Sequence, residues 1–229
     1  MTSPSKDAVL DGLRRTKVLA IVRSTAADLI PGIVETLVEA GICAVEIALA
    51  GPGTVPAIRA VSRRNIPGLL LGAGTVLDTD AASAVLEAGA GYFITPAVLP
   101  EVIRFAAERE LAVFPGAYTP TEILAATRLG ATAVKLFPAS AGGPGYLKAL
   151  LAPLPSAQLI PTGGVTLDAI PQYLGAGAMA VAIGSPLIRD ADTTGDLRAL
   201  AARAQTAVHL ANGGRLANGG RLASGGHPA

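Results

Sequence analysis

The chain has 229 residues, 51% apolar and 15% charged, so it can bury a full-sized core without cross-links, and disorder is excluded for its bulk. Its formal net charge of +1 comes with no basic stripe or acidic tail, which argues against nucleic acid and anionic membranes as partners. With one cysteine, two histidines near the C-terminus, no signal-peptide pattern and no long apolar run, the composition indicates a cytoplasmic protein with neither a disulfide framework nor a histidine-built metal site.

The chain repeats one unit, in which a short apolar run rich in β-branched residues is followed by a helical pattern. Eight strands are predicted, at residues 18–22, 44–49, 69–73, 91–95, 111–114, 133–137, 158–162 and 178–183. Helices are predicted at residues 5–15, 26–40, 55–63, 79–88, 100–109, 119–129, 145–151, 167–174 and 197–209.

Strands that alternate with helices pair in parallel through right-handed crossovers. Eight such units predict an α/β protein with a (β/α)8 TIM barrel and an extra N-terminal helix, and an open doubly wound sheet is the alternative. We assign residues 1–210 to a single barrel domain. Residues 211–229 form a Gly-rich hexamer repeat, ANGGRL-ANGGRL-ASGGHP, which cannot bury apolar area and is predicted to be disordered.

Lys135 is one of only four lysines and lies in the middle of the sixth predicted strand, ATAVKLFP. Strand alternation places it on the face opposite Val134 and Leu136, so we expect it to point into the barrel. Burial lowers the pKa of an amine and makes it a nucleophile able to form a Schiff base with a ketone. The alternative is a lysine whose ammonium group reaches solvent at the strand end.

Glu46 repeats this pattern in the second predicted strand, ICAVEIAL, where small alanines share its face. Even-numbered strands of a barrel contribute to the same interior layers, so Glu46 and Lys135 are expected to face one cavity. There the carboxyl group is a candidate general acid and base. A buried ion pair with Lys135 is the structural alternative.

Two glycine-containing turns follow the last two strands, at Gly163-Gly164 and at Gly184-Ser185. Barrel enzymes often bind phosphate at these turns, on backbone N–H groups that glycine leaves accessible. Ordinary turn chemistry is the alternative interpretation. Other strand-end residues are Thr75, Pro96 and Arg23, and Arg23 is the one arginine that we expect to face the interior and to grip a carboxylate.

These motifs, in this order, resemble the class I aldolases that cleave 2-keto-3-deoxy-6-phosphogluconate and its galactonate epimer. The resemblance covers roughly residues 9 to 190 and rests on the segments AVEIAL, GAGTVL, AGAGYFITPAV, FPGAYTPTE, AVKLFPAS, PTGGVT and AIGSPLI. It implies a homotrimer of (β/α)8 barrels that needs no metal or other cofactor. It also implies a phosphorylated keto acid as substrate, and cleavage of unphosphorylated 4-hydroxy-2-oxoglutarate is a further implication.

The resemblance assigns a role to each matching residue. Lys135 matches the Schiff-base lysine, and Glu46 matches the general acid and base. The pocket for the pyruvate half of the substrate is matched by Thr75, Pro96, Phe137 and Thr162. The phosphate-binding turns are matched by Gly163, Gly164, Gly184 and Ser185.

One departure from the family pattern concerns substrate choice. Many phosphogluconate-type members carry an arginine four residues after the strand-two glutamate, where this chain has Ala50. We therefore predict that Arg23 takes over recognition of the carboxylate or of a substrate hydroxyl. The segment SAGGPGYLKAL resembles the galactonate-type members, so the galactonate epimer is the alternative substrate to the gluconate. A phosphate-binding isomerase or epimerase that uses Glu46 without a covalent step is the alternative reaction.

Overall fold

The computed structural model describes residues 4–215. Its strands are β1 (Val18–Val22), β2 (Ala44–Ala48), β3 (Leu70–Gly74), β4 (Tyr92–Ile94), β5 (Ala112–Phe114), β6 (Gly116–Ala117), β7 (Val134–Leu136), β8 (Leu159–Pro161) and β9 (Val181–Ile183). Its α-helices are α1 (Lys6–Thr16), α2 (Ile30–Glu39), α3 (Thr54–Arg63), α4 (Thr79–Glu87), α5 (Pro100–Ala107), α6 (Pro120–Arg128), α7 (Gly143–Leu151), α8 (Ile170–Gly175), α9 (Ser185–Ile188), α10 (Ala191–Thr194) and α11 (Leu197–Ala211).

Capping side chains determine where several helices begin. Ser5, Asp78 and Asp196 accept hydrogen bonds from backbone N–H groups in the first turns of α1, α4 and α11. Helix α6 begins with a capping box, in which the Thr119 hydroxyl accepts from the Glu122 N–H and the Glu122 carboxylate accepts from the Thr119 N–H. Such caps satisfy N–H groups that a helix leaves unpaired, and each contributes about 1 kcal/mol.

All strand pairs are parallel, and the sheet curls into a barrel. One sheet runs in the order β5-β4-β3-β2-β1-β9 and a second in the order β6-β7-β8. A parallel bridge between Thr162 and Ala182 joins β8 to β9, and Pro115 alone separates β5 from β6. The predicted TIM barrel with an additional N-terminal helix is thereby confirmed.

The barrel strands separate two apolar clusters, as their alternation predicts. Val45, Ile47, Val134 and Leu136 pack in the cluster that the strands share with the surrounding helices. The lumen holds a smaller cluster that includes Leu19, Tyr92, Ile94, Phe114 and Ile160.

Helix α1 closes the amino-terminal end of the lumen. Val9 and Leu13 of this helix are fully buried in the lumen cluster, beside Ala44 at the first position of β2. We call this end the floor, and we call the end formed by the carboxyl ends of the strands the mouth. An apolar floor excludes water from one side of any group that projects into the lumen above it.

Several element boundaries differ from the sequence prediction. The fifth strand, predicted at residues 111–114, is followed by the additional segment β6, and Pro115 interrupts the two because it has no N–H to donate to a ladder. Helix α2 starts at Ile30 rather than at residue 26, and residues 167–174 begin with a 3₁₀ turn before α8. The short helices α9 and α10 were missing from the prediction. Most of the predicted tail at residues 211–229 lies outside the described residues.

Candidate functional site

Lys135 occupies the central position of β7, between Gly116 of β6 and Ile160 of β8 in the ladder. Its side chain is 8% exposed. Burial lowers the pKa of Lys135 because it penalises the ammonium form; the charge of Glu46 opposes this effect and that of Arg23 adds to it. The structure therefore combines an inward-facing position with a bias toward the neutral, nucleophilic amine.

Glu46 occupies the central position of β2, between Ile21 and Gly72, and is 1% exposed. A Cβ atom at Gly74 would overlap the carboxylate, so glycine at this position makes the space that Glu46 fills. Burial raises the pKa of Glu46, and the positive charges of Lys135 and Arg23 act in the opposite direction. Near neutral pH, a raised pKa reduces the free-energy difference between the ionised and the protonated forms of this carboxyl group.

Glu46 and Lys135 influence each other without touching. Each acts on the pKa of the other through its charge. Among the ion pairs within 4.0 Å in residues 4–215, none joins these two residues. The buried ion pair considered as the structural alternative is therefore not formed, and the two groups face the lumen separately.

Phe137 flanks the lysine at the mouth. Its ring centroid lies 5.1 Å from the Lys135 Nζ atom, and the side chain is 39% exposed. Gly163 has a φ of +86°, and a Cβ atom there would come within 2.9 Å of the Phe137 ring. Glycine at this position therefore permits both the turn and the close approach of the ring.

Arg23 follows β1 and reaches across the mouth to Thr75. Its Nη2 atom donates a hydrogen bond to the Thr75 hydroxyl over 3.1 Å. The arginine is exposed, so it lies at the rim of the lumen rather than in the interior that strand alternation predicts. Thr75 has a φ of +60°, an uncommon conformation for a β-branched residue. Backbone strain of this kind clusters at functional sites.

Thr162 and Pro96 lie on opposite sides of β7. Thr162 is 3% exposed and donates its hydroxyl proton to the carbonyl of Ile160 over 3.0 Å. Pro96 is half-buried, and its carbonyl group approaches Gly116 so closely that a Cβ atom there would collide with it. Since Gly116 pairs with Lys135, Pro96 lies one strand away from the lysine.

The two glycine-containing turns are neighbours at the mouth, because the bridge between Thr162 and Ala182 holds β8 beside β9. Gly164 has a φ of +74°, and a Cβ atom there would overlap the Ser140 side chain. Gly184 directly precedes α9, and Ser185 at the first position of this helix is exposed. The structure thus brings the predicted phosphate-binding residues together at one side of the mouth.

Tyr92 is a lumen residue that the sequence patterns did not single out. It is 0% exposed and has a pKa raised well above its ordinary value, because burial and the charge of Glu46 disfavour the phenolate. Tyr92 and Ile94 alternate on a short strand and therefore share a face, and the neighbouring strand β3 is rich in glycine. This pattern is the sequence signal that indicates a large side chain pointing into the lumen.

Two other site types are absent from residues 4–215. No group of three or more His, Cys, Asp or Glu side chains there could hold a metal ion. None of the helices in that range combines the length and the hydropathy needed to cross a bilayer.

Comparison with known proteins identifies the family. The family model described as "Aldolase: KDPG and KHG aldolase" matches residues 9–202. The chain is 39% identical over 172 residues to the 2-dehydro-3-deoxy-phosphogluconate aldolase of Pseudomonas aeruginosa, a match that covers 74% of this chain and 77% of the relative. It is also 39% identical over 172 residues to the 2-dehydro-3-deoxy-6-phosphogalactonate aldolase of Escherichia coli, with 75% and 84% covered.

A solved structure extends the similarity to the fold. The KDPG aldolase of Legionella pneumophila, with pyruvate captured at low pH as a covalent carbinolamine intermediate, matches with a TM-score of 0.79 and 26% identity over 86% of this chain and 97% of that one. The fold and the matches define a class of barrel lyases. The chain belongs to the KDPG and KHG aldolase family, and it is an aldehyde-lyase of the KDPG type.

Proposed function

We propose that this chain cleaves 2-keto-3-deoxy-6-phosphogluconate to pyruvate and glyceraldehyde 3-phosphate, with Lys135 as the Schiff-base nucleophile and Glu46 as the general acid and base. The observation that carries the proposal is the pair itself. A buried lysine with a lowered pKa faces the same lumen as a buried carboxyl group, and no ion pair joins them. An amine held in this way can attack a ketone near neutral pH.

The reaction begins when neutral Lys135 attacks the C2 ketone and forms a carbinolamine. Glu46 donates a proton to the departing hydroxyl group, so that water leaves and the iminium forms. The iminium accepts the electron pair of the C3–C4 bond as that bond breaks, and Glu46 takes the proton of the C4 hydroxyl. Glyceraldehyde 3-phosphate leaves, the enamine is protonated at C3, and water hydrolyses the resulting imine to release pyruvate and free Lys135.

The remaining predicted site residues are assigned to the two halves of the substrate. We propose that the pocket for the pyruvate half is formed by Thr75, Pro96, Phe137 and Thr162. We assign the phosphate to the neighbouring turns formed by Gly163, Gly164, Gly184 and Ser185. Binding of the remote phosphate supplies energy that orients the scissile bond over the lysine.

Arg23 is proposed to recognise the substrate carboxylate or a hydroxyl group. Its hydrogen bond to Thr75 supports this role, since it holds a guanidinium group at the rim while leaving other donors free to bind. The position that carries arginine in many phosphogluconate-type members is Ala50 here.

The galactonate epimer is the second candidate substrate. The segment at residues 140–150, which resembles the galactonate type, begins at Ser140, whose side chain faces the turn at Gly164. Within it, the Tyr146 hydroxyl donates to the Tyr118 carbonyl over 2.9 Å, and the two rings stack with centroids 4.7 Å apart. The Pseudomonas aeruginosa relative of the gluconate type and the Escherichia coli relative of the galactonate type are each 39% identical to this chain, so identity to these two favours neither epimer.

Further expectations, drawn from the composition, the strand–helix pattern and the family resemblance, stay predictions. These are the homotrimeric assembly, the cleavage of unphosphorylated 4-hydroxy-2-oxoglutarate, the cytoplasmic location, the absence of a cofactor requirement and the single barrel domain at residues 1–210. Light scattering of the purified chain tests the assembly, and a trimer mass is the expected result.

The proposed reaction is tested by measuring pyruvate release from both epimers with the purified chain. We expect rapid release from the gluconate epimer and a slower rate with the galactonate. The reverse order would establish the galactonate activity instead. A non-covalent isomerase would release no pyruvate from either compound, and that result would contradict the aldolase proposal.

A further inference from the structure

Two buried polar atoms in the lumen lack hydrogen-bond partners. They are the Glu46 Oε2 atom and the Tyr92 hydroxyl, and they are the only buried side-chain atoms of this kind in residues 4–215. Burial of an unsatisfied polar group is costly, so such groups are rare in folded proteins and indicate a function or a bound water. Here one atom is an acceptor and the other can donate, so their needs are complementary.

The backbone places these two residues on the same level of the lumen. Glu46 of β2 pairs with Gly72 of β3, and Gly72 pairs with Tyr92 of β4. A Cβ atom at Gly72 would overlap the Tyr92 ring, so the ring extends across β3 toward Glu46. Gly72 therefore makes room for the tyrosine as Gly74 makes room for the carboxylate.

The two oxygen atoms of the carboxylate have different surroundings. Oε1 is the atom nearest to the space of the Gly74 side chain, at the last position of β3 and thus on the mouth side. Oε2 is the unpartnered atom that is fully buried. This arrangement leaves Oε1 for the substrate and Oε2 for a partner within the protein.

The Tyr92 ring is held in place by a second lumen ring, from the neighbouring strand β5. It packs against Phe114, with ring centroids 5.5 Å apart and an angle of 48° between the planes. The charged or titratable groups that act on Tyr92 are Glu46 and the Cys43 thiol, and those that act on Glu46 are Lys135 and Arg23. The phenol keeps its proton at neutral pH, because its pKa is raised well above the ordinary value.

We propose that Tyr92 is a positioning residue whose hydroxyl donates, through one buried water, to Oε2 of Glu46, and so fixes the orientation of this carboxyl group. The proposal rests on the proposed function, because it assigns Glu46 the acid and base role. A single water suits two buried polar atoms that lie on one level of the lumen and do not bond directly. A hydrogen bond to a carboxylate favours its ionised form and keeps its pKa from rising further.

The Tyr92→Phe variant tests this role, because phenylalanine keeps the ring that fills the space over Gly72. We expect kcat to fall about tenfold with KM changed less than about twofold, since the hydroxyl acts on chemistry rather than on binding. The acidic limb of the kcat profile should move up by about one pH unit. The matched control is Tyr173→Phe, which removes a hydroxyl that bonds to the Ala139 carbonyl outside the lumen, and its kcat profile should match the wild type.

Two further measurements separate the positioning role from a packing role. In a Glu46→Gln background, Tyr92→Phe should change kcat less than about twofold, because the residue through which it acts is gone. Carbon-13 NMR of labelled glutamate should show the Glu46 carboxyl titrating about one pH unit higher in Tyr92→Phe than in wild type. The NMR titration requires no catalytic activity.

The outcomes distinguish this inference from the proposed function. An active wild type whose kcat profile and Glu46 titration are unchanged by Tyr92→Phe would overturn the positioning role and leave the aldolase proposal standing. A thermal unfolding midpoint that rises in Tyr92→Phe would also contradict it, since this indicates a hydroxyl with no partner. A wild type that releases no pyruvate would overturn the proposed function, while the NMR titration would still decide whether the Tyr92 hydroxyl acts on the Glu46 carboxyl group.

Discussion

The floor and the mouth of the lumen are built from the same strands and differ in polarity, in exposure and in backbone conformation. At the floor, Val9 and Leu13 of α1 meet apolar strand residues, and the region is closed to water. At the mouth, strand ends lead into turns that carry glycines at positive φ, an exposed arginine and a half-exposed phenylalanine. Lys135 and Glu46 lie between the two regions.

This difference explains how a lysine and a glutamate acquire shifted pKa values inside a stable protein. The floor and the helix-side core provide the stability that offsets the burial of two ionisable groups. The mouth provides access for a substrate and the glycine backbone geometry that suits its anionic groups. Barrel enzymes commonly separate stability from chemistry in this way, between the two ends of the strands.

The largest effect on activity is expected at the lysine. Lys135→Met should reduce turnover by at least about a thousandfold, because no other amine can form the imine in the lumen. The fold should remain, since methionine fills a similar volume and removes a buried amine that is costly to charge. Pyruvate release and circular dichroism measure these two effects. Lys148→Met, an exposed lysine on α7, is the control and should keep wild-type activity.

The largest effect on stability is expected at the floor. Leu13→Ala should lower the free energy of unfolding by about 2–5 kcal/mol, because it leaves a cavity beside the lumen cluster. The folded fraction should keep its kcat within about twofold, since the change lies away from the mouth. Urea unfolding and kinetics on the same samples give both values. Leu124→Ala, at a residue 38% exposed, should cost less than about 0.5 kcal/mol. Loss of kcat in folded Leu13→Ala would show that the floor shapes the site directly.

Glu46→Gln should change activity and stability in opposite directions. We expect kcat to fall about a hundredfold, because glutamine cannot transfer protons. Burial raises the pKa of Glu46 above its ordinary value of 4.5, so the folded state binds more protons than the unfolded state at pH values above 4.5. The free energy of unfolding of the wild type therefore falls as the pH rises from 4.5 through the folded-state pKa of Glu46. Above that pKa the full energetic cost of holding an ionised Glu46 in the folded state is present.

Removal of the ionisable group removes this cost. Glu46→Gln should raise the free energy of unfolding by about 1 kcal/mol at pH 8, with a smaller gain near pH 4. Urea unfolding at the two pH values measures the difference. A variant that is less stable at pH 8 than the wild type would show that the surroundings of Glu46 stabilise its ionised form, contrary to the raised pKa.

The smallest of these effects is expected at the mouth turn. Gly164→Ala should raise KM for the phosphorylated substrate about tenfold, because the methyl group would overlap Ser140 and disturb the turn assigned to the phosphate. Gly68→Ala is the matched control, since Gly68 also has a positive φ, +79°, but has open space around it and lies away from the mouth. Equal KM values in the two variants would contradict the phosphate assignment.

The architecture and the inward faces of the strands could be predicted from the sequence. In AVEIA and VKL, successive side chains of a strand point to opposite faces, so the charged residue of each strand is placed opposite its apolar neighbours. The position of Arg23 was not, since its side chain follows the last residue of β1 and its direction is set by the hydrogen bond to Thr75. Tyr92 was also missed. Its importance depends on Gly72 and on the neighbouring carboxylate, which are brought together only by register across three strands.

The aldolase chemistry depends most directly on the reactivity of one amine, and borohydride reduction in the presence of pyruvate tests it. Reduction of the imine leaves the three carbons of pyruvate attached to the nitrogen as a stable secondary amine, and peptide mass spectrometry locates the adduct. We predict one adduct per chain on the peptide that contains Lys135 and none in Lys135→Met. An adduct on another lysine, or no adduct in the wild type, would contradict the central claim.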